Sequence, residues 1–592
     1  MTKPWFGARV TADGVSFALW APAARQVDLL LDKPQPMRRD DDGWFRLDVG
    51  GLVAGARYKF RIDGELDVPD PASSFQPNDV FGPSEVIDHA TYSWASADWR
   101  GRPWEDAVLI ETHVGTFTRD GSYRGMIDKL DHLVGTGITA LELMPIADFA
   151  GQRNWGYDGV LWYAPDSAYG RPEDLKALID AAHQRGLMVL LDVVYNHFGP
   201  EGNFLHRYAP NFFTAAETPW GSVIDYGKPE VRAFAVNSAL SWLRDYRFDG
   251  LRFDAANHIV TPPGGISMLH DLSISAGELA AESGRHIHLV LENGDNIASM
   301  LDPAEEPPRG KFRAQWNDDY HHAFHVLLTG ESRGYYGDYQ RSPRGHIARA
   351  LASGFVYQGE VAAFWGNRPR GEPSGALPPA AFVSFLQNHD QTGNRALGER
   401  LDSLADPRQI EAALAITLLA PMIPMLFMGE EWGSRRPFLF FCDFVGELAD
   451  AVRKGRRREY DWAYARYGDA VPDPLDPKTF SDCVLDWEAR EVAPGRERLA
   501  LVKRLLDVRR REIVPRLAGA RHGDAQARDD GLLTAHWLMG DGTHLKLAAN
   551  LSAREITLLP EQTAGKAIWG CADDRLPAWS VCWRLVSNPS GA

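Results

Sequence analysis

Four short apolar runs in this 592-residue chain each end abruptly at acidic and other polar residues. They are Asp192-Val-Val-Tyr-Asn-His197, Gly250-Leu-Arg-Phe-Asp254, Val290-Leu-Glu292-Asn293 and Phe385-Leu-Gln-Asn-His389-Asp390. Burying a charge is costly, so a buried strand is not expected to end on one unless the charge is needed there. The pattern therefore predicts a site built at the ends of several neighbouring strands.

The region from about residue 107 to 428 alternates short apolar runs with longer helical patterns, which is typical of repeated βα units and a parallel sheet. Between the second and third runs, a helix is predicted from near Pro172 to Gly186. Eight units predict a (β/α)₈ TIM barrel, in which functional residues lie at the carboxyl ends of the strands. The eight runs are Leu109–Val114, Ala140–Met144, Met188–Val194, Gly250–Phe253, His288–Glu292, Phe312–Trp316, Phe382–Asn388 and Pro424–Met428.

The two ends of the chain have a different pattern, with short strands separated by turns. Val15–Trp20 is one such strand in residues 1–95, which we expect to form an N-terminal β-sandwich. Leu545–Leu551 is another in residues 516–592, which we expect to form a small C-terminal β domain. Residues 96–515 would then be the barrel with its long βα loops, closed by a helix at about 494–514.

Composition excludes some classes of function. The net charge of −17 argues against nucleic-acid binding, because backbone phosphates repel an acidic surface. No signal peptide and no stretch long and apolar enough to span a bilayer is evident, so we expect a cytoplasmic protein. The cysteines contain no CxxC pair, and we interpret them as reduced packing residues. They are Cys442, Cys483, Cys571 and Cys582.

The acids at the strand ends have the residue types needed to cleave a glycosidic bond. That reaction requires a carboxylic acid to protonate the departing oxygen and a carboxylate to stabilise or trap the anomeric carbon. Asp254 lies two residues after Arg252, so on a strand the guanidinium points the same way and favours an ionised nucleophile. Glu292 has no neighbouring cation in sequence, which suits a proton donor. Asp390, beside His389, could bind sugar hydroxyls.

Structural roles compete with these interpretations. An acid at a strand end is often the N-cap of the next helix, and Asp192 could bond Arg252 instead of touching a substrate. His197, His258 and His389 could each be ordinary core or loop histidines. The acids and histidines lack the spacing of known metal motifs, so we expect no required metal.

Aromatic residues and one basic run admit two interpretations as well. Tyr157 could offer a flat face to a sugar ring, or Trp155 and Tyr157 could simply fill the top of the barrel. The aromatic content of the long loops, including Trp220, favours ordered loops that build a cleft. The basic run Arg453–Arg458 is expected to be a solvated loop or helix face.

With these residues in place, the chain resembles the alpha-amylase superfamily of glycoside hydrolases, because the four runs match its conserved regions in order and position. Narrower motifs resemble those of the maltooligosyltrehalose trehalohydrolases, nearly end to end. These motifs are Phe6-Gly-Ala8, Phe17-Ala-Leu-Trp-Ala-Pro22, Glu111-Thr-His-Val-Gly-Thr-Phe117, Asn154-Trp-Gly-Tyr-Asp-Gly-Val160, Gln315-Trp-Asn-Asp-Asp-Tyr-His-His322, Phe385-Leu-Gln-Asn-His-Asp-Gln-Thr-Gly-Asn394 and Pro437-Phe-Leu-Phe-Phe-Cys-Asp-Phe444.

The resemblance implies a retaining hydrolase that cuts the α-1,4 bond next to the terminal trehalose of maltooligosyltrehalose, without a cofactor. It implies Asp254 as nucleophile, Glu292 as general acid/base and Asp390 as transition-state stabiliser. It also implies α-1,4-glucans as related substrates, a preceding maltooligosyltrehalose synthase, and an N-terminal domain like a carbohydrate-binding module. The expected substrate contacts are Trp155, Tyr157, Asp192, His197, Trp220, Arg252, His258 and His389.

Two positions depart from the family pattern, and three alternatives stay open. Asn257 stands where relatives more often have His or Lys, and Gly294 is inserted after Glu292. A glycogen branching enzyme would use the same three acids on the same frame, and a debranching hydrolase of the isoamylase kind is a weaker alternative. A catalytically inactive binding subunit is disfavoured, because all three acids and Arg252 are present.

Overall fold

A closed barrel of parallel strands forms the centre of the computed structural model, which describes residues 5–218, 220–259, 267–302, 309–570 and 574–587. The first strand pairs with both the second and the last, which closes the ring. The predicted barrel is confirmed, with strands one, six and seven at least two residues shorter than expected. In chain order the strands are Leu109–Thr112, Ala140–Leu143, Met188–Val193, Gly250–Phe253, His288–Leu291, Ala314–Trp316, Phe382–Ser384 and Ile423–Phe427.

The interior of the barrel is apolar below and polar above. Side chains two positions apart on a strand point to the same face. A residue two positions after one that faces the barrel interior therefore also points inward. Glu111 and Glu142 therefore face the interior side by side on strands one and two, and Asp192 and Arg252 do so on strands three and four. The apolar part includes Leu109, Ala140, Met188, Leu190, Val290, Ala314 and Met425.

Helices follow the strands and cover the barrel. The predicted helix after strand two runs Pro172–Gln184, with proline in its first turn, where no backbone N–H is required, and with Leu175, Leu178 and Ile179 buried. The predicted closing helix begins with Gly495–Val508 and continues as a π-helical turn over Arg509–Ile513. The other helices of eight or more residues between strands one and eight are Pro229–Asp245, Met268–Ser283, Asp318–Thr329, Pro343–Ser353 and Pro407–Leu419.

Antiparallel sheets flank the barrel on both sides, as predicted. At the N-terminal side, Trp20 packs against Phe212 of the barrel loops with ring centroids 5.8 Å apart. One sheet there contains Gly7–Thr11, Gly14–Trp20, Trp44–Gly50 and Arg38–Arg39; the other contains Pro34–Pro36, Val27–Leu30, Arg57–Ile62, Leu66–Val68 and Ser84–Glu85.

The C-terminal sheet is held against the barrel helices by two buried tryptophans. The indole N–H of Trp537 donates to the Leu351 carbonyl, and that of Trp583 donates to the Ala415 carbonyl, both at 3.1 Å. In spatial order its strands are Arg521–Ala527, Leu532–Leu538, His544–Asn550, Ser580–Val586 and Lys566–Trp569.

The long loop after strand eight is mostly helical. Its first helix, Gly446–Glu459, carries the basic run. Most of that run is solvated as predicted, but the side chain of Arg456 is only 14% exposed, and its guanidinium lies 4.1 Å from the centre of the Phe440 ring. The expectation of a purely solvated face is wrong at this residue, because the helix packs its inner side onto the barrel.

The cysteine prediction is correct at two positions and wrong at one. Cys442 and Cys483 are buried free thiols. Cys582 is disulfide-bonded, which the wide spacing of the cysteines in the sequence did not suggest. Cys571 lies outside the described residues. Within the described ranges, none of the helices is both long and apolar enough to cross a membrane.

Candidate active site

A cleft of about 600 Å³ opens at the carboxyl ends of the barrel strands. It lies where a barrel of this type places its functional residues. All the predicted site residues except Asp192 line it. They are Trp155, Tyr157, His197, Trp220, Arg252, Asp254, His258, Glu292, His389 and Asp390.

Arg252 is the electrostatic centre of the site. One of its nitrogens, Nη1, donates to Asp254 Oδ1 at 2.9 Å and to Asp192 Oδ2 at 2.6 Å. Its side chain is 3% exposed, and the guanidinium packs 4.2 Å from the centre of the Trp316 ring. The strand alternation that places Arg252 and Asp254 on one face produces the pairing expected from the sequence. Asp192 lies beneath the cleft and bonds Arg252. This is the structural role that was considered as an alternative to substrate contact.

Glu292 converges on the same guanidinium. Its Oε2 lies 3.6 Å from Arg252 Nη2 and accepts a hydrogen bond of 2.5 Å from the backbone N–H of Ala255. Burial raises the pKa of Glu292 to about 8; the Arg252 charge opposes the rise, while Asp254 and Asp318 add to it. Asp254 and Glu292 therefore converge on one guanidinium in the same cleft, and the raised pKa favours the protonated form of Glu292 at neutral pH.

The backbone between these two acids has an unusual conformation. Ala255, directly after Asp254, has φ of 42°, in the left-handed region that side chains with a Cβ rarely adopt. This turn aims the Ala255 N–H at Glu292 and ends the fourth strand. Positive φ at a non-glycine residue costs free energy and is found preferentially at functional sites.

Asp390 is positioned by the start of a short helix. The side chain of Asn388 caps that helix by accepting from the N–H groups of Asp390 and Gln391. The Asn394 amide one turn later donates to Asp390 Oδ1 at 2.6 Å. Arg456 donates in turn to Asn394 Oδ1 at 3.1 Å, so the helix of the long loop supports this acid.

His389 is fixed from below by Glu111 on the first strand. Glu111 Oε2 accepts from the His389 backbone N–H at 2.8 Å, and Glu111 Oε1 bonds the ring at Nδ1. Burial lowers the pKa of His389, but the Glu111 and Asp390 carboxylates together outweigh this and raise it above its ordinary value. The ring stacks on Tyr157 with centroids 5.1 Å apart.

The loop after strand two carries the aromatic side of the cleft. Tyr157 donates to Asp192 Oδ2 at 2.6 Å, and Trp155 stacks on Phe438 with centroids 5.4 Å apart. Gly156 between them has φ of 100°, and a Cβ there would lie 1.9 Å from the Pro145 carbonyl oxygen. Only glycine permits this close turn, which presents both rings.

The outer rim of the cleft is made by loop residues. Trp220 is 47% exposed and lies near two histidines, with centroids 6.1 Å from His197 and 5.0 Å from His258. Trp365, another loop residue, packs so closely on Gly294 that a Cβ at Gly294 would lie 2.6 Å from the ring. The inserted glycine therefore leaves room for a tryptophan in the cleft wall.

Several cleft residues escaped the sequence interpretation. Asp318 follows the sixth strand as the other acids follow theirs, so its position was a usable signal. Glu111 lies within the first strand, beneath the cleft, and has no such signal. Trp365, Arg456 and Glu459 come from long loops whose placement no local pattern indicates. Within the described residues, no group of three or more His, Cys, Asp or Glu side chains could hold a metal ion.

Models of known protein families match three parts of the chain. The alpha-amylase catalytic domain matches residues 93–218, and carbohydrate-binding module 48, the isoamylase N-terminal domain, matches 5–74. A domain of unknown function, DUF3459, matches 520–583. These matches agree with the barrel and its two flanking β regions.

Full-length relatives decide the family. Malto-oligosyltrehalose trehalohydrolase of Deinococcus radiodurans is 42% identical over 504 residues, covering 85% of this chain and 82% of the relative. The protein of the same name from Saccharolobus solfataricus is 39% identical over 515 residues, covering 85% and 87%. This chain belongs to the malto-oligosyltrehalose trehalohydrolase family. The resemblance inferred from its motifs is confirmed.

A solved structure extends the similarity to the whole fold. The crystal structure of a protein from Salmonella typhimurium is 44% identical and superposes with a TM-score of 0.93, covering 98% of this chain and 99% of that one. The barrel and both flanking β regions are therefore shared by the two molecules.

Proposed function

We propose that this protein is a retaining glycoside hydrolase that cleaves the α-1,4 bond next to the terminal trehalose of maltooligosyltrehalose and releases trehalose. The observation that carries the proposal is the placement of Asp254 and Glu292 around Arg252, within a chain of this family. Acetal cleavage with retention requires two neighbouring carboxyl groups, one protonated and one ionised, and Arg252 lies beside both here.

Asp254 is the proposed nucleophile. Its Oδ1 accepts from Arg252, and its Oδ2 accepts a weak bond of 3.4 Å from Asn196, so the ionised carboxylate is aimed and its charge is stabilised. Attack on the anomeric carbon forms a glycosyl-enzyme, and water then releases the sugar with net retention.

Glu292 is the proposed general acid and then base. The raised pKa keeps its proton available at neutral pH for the oxygen of the departing trehalose. Once Glu292 is ionised, the nearby Arg252 and the Ala255 N–H stabilise the carboxylate until it accepts a proton from water.

The remaining cleft residues bind and orient the sugars. Tyr157, supported by His389, offers an aromatic face to the ring at the reacting bond. Asp390, open to the cleft and held by Asn394, accepts from sugar hydroxyls and favours a distorted ring. Trp220 and His258 form the rim where a further sugar would lie.

The substrate also sets what must come before this reaction. A glucan acquires a trehalose end only if another enzyme converts its terminal α-1,4 bond into an α-1,1 bond, so we propose that this protein follows a maltooligosyltrehalose synthase. We further propose functional units at residues 1–95, 96–515 and 516–592, with the first assisting glucan binding.

Incubation with maltotriosyltrehalose and, separately, with maltopentaose tests the proposal by chromatography of the products. Rapid release of trehalose from the first and slow cleavage of the second are expected. A matched incubation with amylose reports branching: new α-1,6 branches without release of trehalose would identify a branching enzyme and overturn the proposal.

A further inference from the structure

Glu142 is a buried acid to which neither the motifs nor the proposed mechanism gives a role. It lies in the middle of the second barrel strand and is 1% exposed. Neither of its carboxyl oxygens has a hydrogen-bond partner among the described residues. Burying a carboxyl group without a hydrogen-bond partner costs free energy of folding, so such a group in a folded protein requires an explanation.

The position of Glu142 relates it to the site. It pairs with Glu111 on strand one and with Leu190 on strand three, so the inward-facing Asp192 lies one step above it on the neighbouring strand. Arg252 follows on strand four, paired with Asp192. Glu142 is therefore in the interior layer directly beneath the pair that holds the proposed nucleophile.

Two groups above Glu142 each have one hydrogen-bonding atom without a partner in the described part of the chain. Asp192 uses Oδ2 for Tyr157 and Arg252, but its Oδ1 has no partner in the described part of the chain. Arg252 uses Nη1 and Nη2 toward the acids, but its Nε likewise has none there. One is an acceptor and the other is a donor, and a neutral carboxylic acid offers one donor and one acceptor.

Charge decides which form of Glu142 fits. Among the described residues, the charged groups that act on it are the acids Glu111 on strand one and Asp192 on strand three and the cation Arg252 on strand four. Burial, followed by the charges of Asp192 and Glu111, raises the pKa of Glu142 well above its ordinary value, against the opposing effect of Arg252. An ionised Glu142 would compete with Asp254 for the Arg252 charge.

We propose that Glu142 is a positioning residue for the proposed glycoside cleavage: as a neutral carboxylic acid it links, through internal water, to Asp192 Oδ1 and Arg252 Nε and holds both in place. It touches no substrate. It acts through Arg252, whose orientation sets Asp254. This inference rests on the proposed function for its kinetic consequence only.

Two variants separate this role from simple packing. Glu142→Gln keeps a donor, an acceptor and the shape, so we expect its kcat on maltotriosyltrehalose to stay within about threefold of the wild type. Glu142→Leu keeps the volume of the side chain but removes both the hydrogen-bond donor and the acceptor. We therefore expect kcat to fall by about 10- to 100-fold through misplacement of Arg252, with KM nearly unchanged.

Two measurements report protonation directly. The infrared difference between the wild type and Glu142→Gln at pH 7 should contain the C=O band of a protonated carboxylic acid. The melting temperature of the wild type should also fall relative to Glu142→Gln as pH rises from 5 to 8. When folding raises the pKa of a carboxyl group, its contribution to the free energy of unfolding is complete below the pKa of the unfolded chain. That contribution is lost as pH rises through the pKa of the folded protein. Glu282→Gln, at an exposed helix position, is the control and should show neither effect.

The outcomes are distinct. Each of three outcomes would overturn the proposed role of Glu142. The first is a loss of activity in Glu142→Gln as large as that in Glu142→Leu. The others are absence of the protonated-acid band and a difference in melting temperature that does not change with pH. If Glu142→Leu does not fold, the glutamine variant still decides. Failure of the wild type to release trehalose would refute the proposed function instead, while the infrared and melting measurements would still test the protonation of Glu142.

Discussion

The two walls of the cleft are built differently. The strand wall, formed by Arg252, Asp254 and Glu292, comes from the ends of two neighbouring parallel strands, and its side chains bond one another; the Arg252 side chain is 3% exposed. The loop wall, formed by Trp220 and Trp365, comes from long connections, and Trp220 is 47% exposed. From this difference we expect the strand wall to carry the bond cleavage and the loop wall to carry the choice of substrate.

The strongest test of the strand wall is Glu292→Gln. This change keeps the shape of the side chain but removes the transferable proton, so we expect kcat to fall by about 10³-fold or more. Steady-state release of trehalose from maltotriosyltrehalose measures it, with the exposed Glu282→Gln as matched control. Turnover near normal would show that Glu292 is not the acid.

Arg252→Lys tests whether the strand wall depends on the geometry of the guanidinium. Lysine keeps the charge but cannot reach Asp192, Asp254 and Glu292 at once, so we expect about a 100-fold fall in kcat. The control is Arg244→Lys on the surface, where the arginine side chain pairs with its neighbour Asp245, away from the cleft. Equal activity of both variants would mean that charge alone suffices.

The pH dependence sharpens the assignment of the acid. Because the proposed acid must be protonated to act, and the pKa of Glu292 is raised to about 8, kcat/KM should be maintained at neutral pH and fall above about pH 8. The expected slope is about tenfold per pH unit on the alkaline side. A profile that already declines from pH 5 would contradict a raised pKa.

Trp220→Ala tests the loop wall and has the smallest expected effect. Loss of one stacking face costs about 1 kcal/mol, so KM should rise about fivefold while kcat changes little. Trp462→Ala removes an equally exposed tryptophan that does not line the cleft and serves as control. If kcat falls instead of KM rising, the loop wall takes part in the bond cleavage.

The same division explains what the sequence could predict. The eight strands and the strand-end acids follow from local patterns of hydrophobicity, and strand alternation alone pairs Arg252 with Asp254. Arg456 could not be placed, because its helix reaches the cleft only through packing of a long loop. Cys582 was misjudged because spacing along the chain says little about distance in a folded sheet.

The turn at Ala255 has a consequence for the stereochemistry of the reaction. Its N–H bonds Glu292 Oε2, and the side chain of Asp254 is carried one residue earlier on the same turn, so this backbone links the proposed acid to the proposed nucleophile. Retention tolerates only a narrow gap between two such groups, whereas a wider one admits water and inverts the product. The anomeric configuration of the released sugar therefore depends on this turn keeping the two proposed groups close together.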